Sequence, residues 1–360
     1  MLIGGTGEVA ARQPRPHGPR AVVSLGDSFI SGEGGRWKGN SNTMTGDRDG
    51  TDRAWTGGVS YDATKVYGTT HTGSGWGGDR GCHRSDSAEV FNAFGHKEID
   101  DNRSESLDEG SGIKSINLAC SGAQSNNIVD TPFKGEQPQG DQLAEVARQN
   151  TVEAVVLSIG GNDVELSGVL AQCGKDWASG KRCAEEEQAA IQQRLPGMRE
   201  AVRRAVAKIR ETMAEAGYRN GDYRLIVQSY PSPLPDEFRN RGDGYDTAIS
   251  EGTPLYLGDM RWLHDWVAPA ISDSIRKVAR EEKAEYLDMT SALAGREMRN
   301  PQTQHGAAPA NAEWFRFLSG VVQGNLQESF HPNYYGQLRL GQCLKRAFDN
   351  PSAEHVCTNG

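Results

Sequence analysis

The sequence lacks any long hydrophobic run. No stretch of about 18 consecutive apolar residues occurs, which is the length needed to cross a bilayer. Hydrophobic residues make up only 36% of the 360 residues, and 44 glycines indicate many polar loops. Residues 1–20 also lack the apolar core of a signal peptide. We interpret residues 1–20 as an N-terminal tail and residues 21–360 as a single domain.

An excess of positive charge is also missing. The chain has 39 lysines and arginines against 48 aspartates and glutamates, a formal net charge of −9. An acidic balance disfavours electrostatic binding to nucleic acid, and it gives no help in binding an anionic membrane surface. We therefore expect a small-molecule or lipid partner and no nucleic-acid partner.

The cysteines form no CxxC pair, which disfavours zinc ribbons and thioredoxin-type chemistry. Six cysteines are compatible with three disulfides made in an oxidising compartment. The alternative is six reduced, partly buried thiols in a cytosolic protein. The expected pairs are Cys173 with Cys183 and Cys343 with Cys357, which would close short loops, and then Cys82 with Cys120.

Short β-rich runs alternate with helical segments along the chain. Strands are predicted at residues 21–25, 114–118, 154–159, 223–228 and 284–287. Helices are predicted at residues 85–94, 141–149, 184–216 (interrupted near Pro196), 260–282 and 335–348. Long polar insertions are predicted near residues 34–81, 232–258 and 291–327. This alternation predicts a parallel sheet with helices on both faces.

Polar segments follow three of the predicted strands, namely residues 26–28, 119–122 and 160–163. The carboxyl ends of parallel strands form one edge, where ligands of such sheets bind. A fourth polar segment, residues 331–333, precedes the last helix. Together they bring a serine, a histidine, a glycine and an asparagine to one edge, which is a set suited to acyl transfer.

The same four segments resemble the sequence blocks of the SGNH/GDSL hydrolases and occur in the same order. They are Val23-Ser24-Leu25-Gly26-Asp27-Ser28-Phe29, Ala119-Cys120-Ser121-Gly122-Ala123, Ser158-Ile159-Gly160-Gly161-Asn162-Asp163, and Phe330-His331-Pro332-Asn333 with Gly336. The cysteine placement and residues 82–85 resemble the secreted actinobacterial esterase and lipase branch. The match extends from residue 22 to residue 336.

The resemblance implies a fold and a set of roles. The fold would be a flavodoxin-like three-layer α/β/α sandwich with a central, mostly parallel sheet and long loop insertions. Ser28 would be the nucleophile and His331 its general base. The backbone N–H groups of Ser28 and Gly122 and the side chain of Asn162 would form the oxyanion hole. No metal or organic cofactor is implied.

The third member of the catalytic set departs from the family pattern. An aspartate usually stands three residues before the histidine, and Glu328 occupies that position here. A glutamate is one methylene longer but can still accept a hydrogen bond from an imidazole. Either the Glu328 carboxylate or its backbone carbonyl would then orient His331.

The implied function is that of a secreted, monomeric serine hydrolase cleaving carboxylic esters of lipids, phospholipids or short acyl groups. One alternative is a carbohydrate O-acetylesterase, which would be favoured if Trp37 and Trp55 stack on a sugar. Others are an acyltransferase that uses the same acyl-enzyme and a binding protein that only kept the fold. The first insertion contains four aromatic residues, Trp37, Trp55, Tyr61 and Trp76. They could line a pocket or form a local core, and we favour the local core.

Overall fold

The computed structural model describes residues 15–41, 51–57, 60–71, 81–95, 105–107, 112–318 and 324–359. Its strands are β1 (Arg20–Gly26), β2 (Trp55–Gly57), β3 (Ser60–Tyr61), β4 (Glu105–Leu107), β5 (Ile113–Asn117), β6 (Thr151–Ser158), β7 (Arg224–Gln228), β8 (Glu285–Asp288) and β9 (Glu354–Val356). Its α-helices are α1 (Ser28–Ser31), α2 (Thr64–Tyr67), α3 (Glu89–Phe94), α4 (Asn126–Val129), α5 (Gln139–Gln149), α6 (Leu166–Ala178), α7 (Ala184–Glu215), α8 (Tyr245–Glu251), α9 (Leu257–Trp262), α10 (Ala268–Glu281) and α11 (Tyr334–Asp349). A π-helical turn, Leu263–Val267, joins α9 to α10.

Seven strands form the central sheet in the order β4-β5-β1-β6-β7-β8-β9. The strands from β5 to β9 pair in parallel, whereas β4 pairs antiparallel with β5 at one edge. The inner order β5-β1-β6-β7-β8 is the 2-1-3-4-5 order of flavodoxin-like sheets. This confirms the predicted fold class.

The strand sequences explain why the sheet lies in the middle of the fold. In β1 every residue after Arg20 is buried, and in β6 the last five residues are buried. Strands that are covered on both faces have nearly continuous apolar sequences. Helices α5, α7 and α10 pack together along the sheet, while α3 packs on β1, β5 and α11.

The five predicted strands are all found, but the helix predictions need two corrections. Helix α7 runs through Pro196 without a break, because its buried face packs along the sheet layer and outweighs one lost hydrogen bond. Helix α3 begins at Glu89 rather than at Ser85, because Asp86 and Ser87 form a turn before it. Helix α6 was not predicted at all.

The three predicted cysteine pairs are all bonded in the structure. They are Cys82–Cys120, Cys173–Cys183 and Cys343–Cys357, with sequence separations of 38, 10 and 14 residues. Among the described helices, none is long and apolar enough to cross a membrane.

Candidate active site

Ser28 stands where strand β1 turns into helix α1. A Cβ atom on Gly26 would lie 1.9 Å from the backbone oxygen of Ser158, so only glycine lets the end of β1 approach β6 this closely. Asp27 then caps the helix by accepting a hydrogen bond from the N–H of Phe29. This tight turn presents Ser28 at the carboxyl edge of the sheet.

His331 comes from the loop before α11 and meets Ser28 directly. Its Nε2 lies 2.6 Å from the Ser28 hydroxyl oxygen, although the residues are 303 positions apart. Its Nδ1 donates to the backbone oxygen of Ser329 at 2.9 Å. With Nδ1 protonated, Nε2 is free to accept the Ser28 proton.

Burial sets the protonation state of His331. It lowers the pKa of the imidazole, and the opposing effects of the Glu33 charge and the Ser329 carbonyl are smaller. A lowered pKa keeps the ring neutral at neutral pH. A neutral ring is the form that can accept a proton from a serine.

The Glu328 carboxylate points to other partners, which corrects the expectation that its side chain or its own carbonyl orients His331. The side chain is fully buried and accepts hydrogen bonds from Trp37 Nε1 at 3.0 Å and from the Tyr67 hydroxyl at 2.9 Å. It also accepts from the N–H of Asn325, as part of a capping box. The carbonyl that holds His331 belongs to Ser329, one residue further along the chain.

The predicted oxyanion residues converge on the same cavity. Gly122 and Asn162 line it together with Ser28 and His331. Gly122 has a φ of 87°, a left-handed conformation that favours glycine. The Asn162 side-chain nitrogen donates to the Ala123 oxygen at 2.9 Å, and this uses one of its two hydrogens. The bond ties the Asn162 turn to the loop that carries Gly122.

One buried residue that sequence reasoning missed, Tyr230, holds these loops together through Asp27. The Tyr230 hydroxyl donates to Asp27 at 2.5 Å and accepts from the N–H of Gly161 at 3.0 Å. Burial raises the pKa of Asp27 to about 7. Tyr230 follows β7 by two residues, so its place at the strand edge was the one indication available.

A cavity of about 950 Å³ opens above Ser28. Most of its wall is apolar, contributed by α6, the π-helical turn, the start of α10 and the segment after β7: Leu166, Leu170, Leu234, Leu263, Val267 and Ile271. Near the mouth, Tyr61 and Leu326 are 37% and 67% exposed. The cavity therefore offers an apolar surface to one side of Ser28.

The aromatic residues of the first insertion divide between core and cavity. Trp37 is fully buried, with the guanidinium groups of Arg36 and Arg316 against its ring. Trp55 lies in β2 and is absent from the cavity wall, whereas Tyr61 lines it. Trp76 lies outside the described residues.

Two clusters in the described part of the chain have the composition of a metal site. In Glu251–His305–Glu313, the guanidinium of Arg239 already lies against both carboxylates. In Asp236–His264–Asp265, both carboxylates are exposed to solvent and contact the His264 ring. His264 itself lines the cavity. Neither cluster contacts Ser28, and the chemistry available at Ser28 and His331 is acyl transfer.

Comparison with known proteins places this site in a family. Residues 75–339 match the model of the GDSL-like lipase/acylhydrolase family, a range that begins after Ser28 and includes Gly122, Asn162 and His331. Among curated proteins, none matches the chain.

Solved structures give similar folds. A phospholipase A1 from Streptomyces albidoflavus NA297 is 18% identical, with 89% of this chain and 94% of that chain covered and a TM-score of 0.52. An extracellular lipase from Streptomyces rimosus is 17% identical, with 91% and 99% covered and a TM-score of 0.46. A carbohydrate acetylesterase from Sinorhizobium meliloti is 11% identical, with 92% and 98% covered and a TM-score of 0.41. With most of its length matched by the family model, the chain belongs to the GDSL-like lipase/acylhydrolase family and is a carboxylic ester hydrolase.

Proposed function

We propose that Ser28 and His331 form a catalytic dyad that hydrolyses esters of medium or long acyl chains, with Ser329 as the residue that orients the base. The observation that carries this proposal is the 2.6 Å contact between the Ser28 hydroxyl and His331 Nε2 beside a mostly apolar cavity. The Ser329 carbonyl takes the place that a carboxylate has in a catalytic triad.

The proposed reaction has two halves. The Ser28 oxygen attacks the ester carbonyl carbon while His331 Nε2 takes the hydroxyl proton. The negative oxygen is held by the N–H groups of Ser28 and Gly122 and by the Asn162 amide. The carbon–oxygen bond to the alcohol then breaks, and His331 protonates the departing alcohol. Water attacks the acyl-Ser28 in the same way and releases the carboxylic acid.

The cavity supports an acyl-chain substrate more than an acetylated sugar. Its volume of about 950 Å³ is near the upper end of the range for small-molecule sites, and its wall is mostly aliphatic. Trp37, which would have stacked on a sugar, is buried against two arginines. We therefore favour lipid or phospholipid esters over short acyl esters and carbohydrate acetates.

We also propose that the protein works outside the reducing cytosol. Three disulfides involve all six cysteines of the chain. Disulfides of this kind form and persist in secreted proteins and are rare in the cytosol. This inference rests on the cysteines alone.

Hydrolysis of a p-nitrophenyl ester series from acetate to palmitate tests the proposal. We expect the wild type to prefer acyl chains of about eight carbons or more, because the cavity is large enough to admit them. Ser28→Ala should reduce the rate at least about 10⁴-fold, since the nucleophile is lost. Ser115→Ala removes another fully buried serine, on β5, and should leave the rate unchanged.

The outcomes separate the parts of the proposal. A wild type that is inert on every chain length would overturn ester hydrolysis itself. A clear preference for acetate would keep the enzyme class and contradict the acyl-chain assignment. If an added alcohol captures most of the acyl group, the acyltransferase alternative replaces hydrolysis.

A further inference from the structure

Glu33 is a fully buried carboxylate behind the Ser28–His331 pair. It follows α1, and its N–H donates to the backbone oxygen of Ser28 at 3.0 Å. The next residue, Gly34, backs onto the other partner: a Cβ there would lie 3.3 Å from His331 Cβ and 2.9 Å from the Pro332 oxygen. The Glu33–Gly34 segment is thus packed between the chain segments that carry the two reacting groups.

The Glu33 side chain is bonded to the His331 loop and lies near the Gly122 loop. Gln327 Nε2 donates to it at 3.3 Å, from a position two residues before the carbonyl that holds His331. The Ser121 side chain, directly before Gly122, also favours the charged form of this carboxylate. The one carboxylate therefore lies where the turn after Ser28, the His331 loop and the Gly122 loop meet.

His83 fixes the position of this carboxylate. Its Nδ1 lies 2.8 Å and 3.0 Å from the two Glu33 oxygens, and both side chains are fully buried. Its ring stacks on Tyr67 at 4.2 Å, and its Nε2 lies 3.2 Å from His71 Nδ1. The His83 backbone has a φ of 49°, a left-handed conformation that is unfavourable for a residue other than glycine. Strain of this kind persists where surrounding contacts hold it.

The contacts also indicate the charge state. Burial by itself would raise the pKa of Glu33, but the charge and hydrogen bond of His83, together with the charge of His331 and the Ser121 side chain, hold the pKa below its usual value. The Glu33 charge is the largest of the effects that oppose the burial of His331. The other titratable groups packed around the two residues are Glu328, His83, His71, Tyr67 and Arg36.

We propose that Glu33 is the positioning residue of this active site: its ionised carboxylate holds the three loops in register and supplies, without touching His331, the negative charge that a triad acid would provide. Such a charge stabilises the imidazolium that forms when His331 takes the Ser28 proton. This inference rests on the proposed function of Ser28 and His331. It explains how a base held only by a carbonyl can work in a buried site.

The test is the pH profile of kcat/KM for Glu33→Gln, since the acidic limb reports the protonation of His331 in the free enzyme. We expect the limb to move to lower pH, because the charge that favours the imidazolium is gone. The value of kcat should fall about tenfold, as befits a partial loss of general-base catalysis. KM should change less than about twofold, because Glu33 does not line the cavity in the described residues.

Two further variants keep the test decisive. Glu33→Asp retains the charge and should keep the acidic limb at the wild-type pH, even where the shorter side chain lowers kcat. Glu89→Gln removes a different fully buried carboxyl, which does not line the cavity, and should leave both the limb and kcat unchanged. If Glu33→Gln does not fold, the position of the limb in Glu33→Asp still decides.

The result that overturns the proposal is a folded Glu33→Gln enzyme with an unmoved acidic limb, or a Glu33→Asp limb that moves away from the wild-type pH. Labelling of Ser28 with a fluorophosphonate separates this failure from failure of the proposed function. A wild type that neither labels nor cleaves esters refutes the dyad. A wild type that does both, beside a Glu33→Gln variant with wild-type behaviour, refutes only the role of Glu33.

Discussion

Glu328 occupies the position of the usual catalytic acid, yet its carboxylate has a different set of partners. It is fully buried and accepts from Trp37, Tyr67 and the N–H of Asn325. A buried carboxylate with three donors stabilises the structure around it. Glu328 therefore anchors the loop before His331, whereas the imidazole donates its hydrogen bond to the Ser329 carbonyl.

For Glu328→Gln we therefore expect a stability effect larger than the catalytic effect. The neutral amide has one acceptor where the carboxylate had two, so the free energy of unfolding should fall by about 1–3 kcal/mol. The value of kcat should stay within about tenfold of wild type, because the hydrogen bond between His331 and the Ser329 carbonyl is intact. Thermal unfolding and ester hydrolysis measure the two effects.

His331→Asn serves as the comparison for that experiment, because it removes the base itself and should abolish turnover. A Glu328→Gln variant that keeps its stability but loses turnover as completely as His331→Asn would show that Glu328 acts as the acid.

The residues that sequence analysis could find are those whose chemistry has a characteristic neighbourhood. Ser28, Gly122, Asn162 and His331 each stand in a recognisable block, and the structure brings all four to one cavity. The Ser329 carbonyl could not be found in this way, because every residue carries a backbone carbonyl. Glu33 was equally hidden, since its partners come from segments about 50 and 290 positions away.

At the scale of elements, the strand-end loops are held by cross-links that the alternation of strands and helices does not encode. The Cys82–Cys120 disulfide joins the His83 segment to the loop that carries Gly122. Arg84 donates to the Ala119 oxygen at 2.8 Å, and Gln139 bonds both the N–H and the oxygen of Gly26. These bonds fix the ends of β1 and β5 beside the proposed active site.

Removing this disulfide should therefore affect catalysis as well as stability. For Cys82→Ser/Cys120→Ser we expect a loss of about 2–4 kcal/mol in the free energy of unfolding and a clear fall in kcat, since the Gly122 loop loosens. Denaturant unfolding and ester hydrolysis at a temperature where the variant is folded give both values.

The matched control is Cys343→Ser/Cys357→Ser, which opens a bridge between α11 and the segment after β9. It should cost similar stability and leave kcat near wild type. Equal kcat in the two double variants would argue against a specific role of the Cys82–Cys120 bridge in positioning the Gly122 loop.

Elements with a strong periodic pattern were predictable, and those that depend on tertiary contacts were not. The apolar run at residues 154–159 predicted the buried strand β6. The helix α6 follows a turn in which Glu165 has a φ of 57°, and its sequence is short of charged residues on its outer side. Its contact with the cavity, through Leu166 and Leu170, is what gives it a role, and that contact is visible only in the fold.

At the scale of the whole molecule, the buried carboxyl groups make stability depend on pH. Burial raises the pKa of Asp27 to about 7 and that of Glu89 to about 8. The folded state thus binds protons that the unfolded state has already released between about pH 4.5 and pH 8. Stability from these groups is complete below the unfolded pKa and is lost as the pH rises through the folded pKa. The pKa of Glu33 is lowered, so its effect is opposite: the stability that it contributes to the fold is lost as the pH falls.

Glu89 isolates this effect, because it lies away from the cavity wall and one of its oxygens has no partner among the described residues. Glu89→Gln keeps the shape and removes the ionisation. We expect the variant to match the wild type near pH 4.5 and to become progressively more stable than it up to about pH 8, with a constant difference above that. The gain is on the order of 1.4 kcal/mol for each unit by which burial raises the pKa. Melting temperatures of both proteins across this range measure it, with the exposed Glu211→Gln as control. A difference that does not change with pH would mean that Glu89 is ionised in the folded protein, so the charge would need a partner that its single bond to Gln228 does not supply.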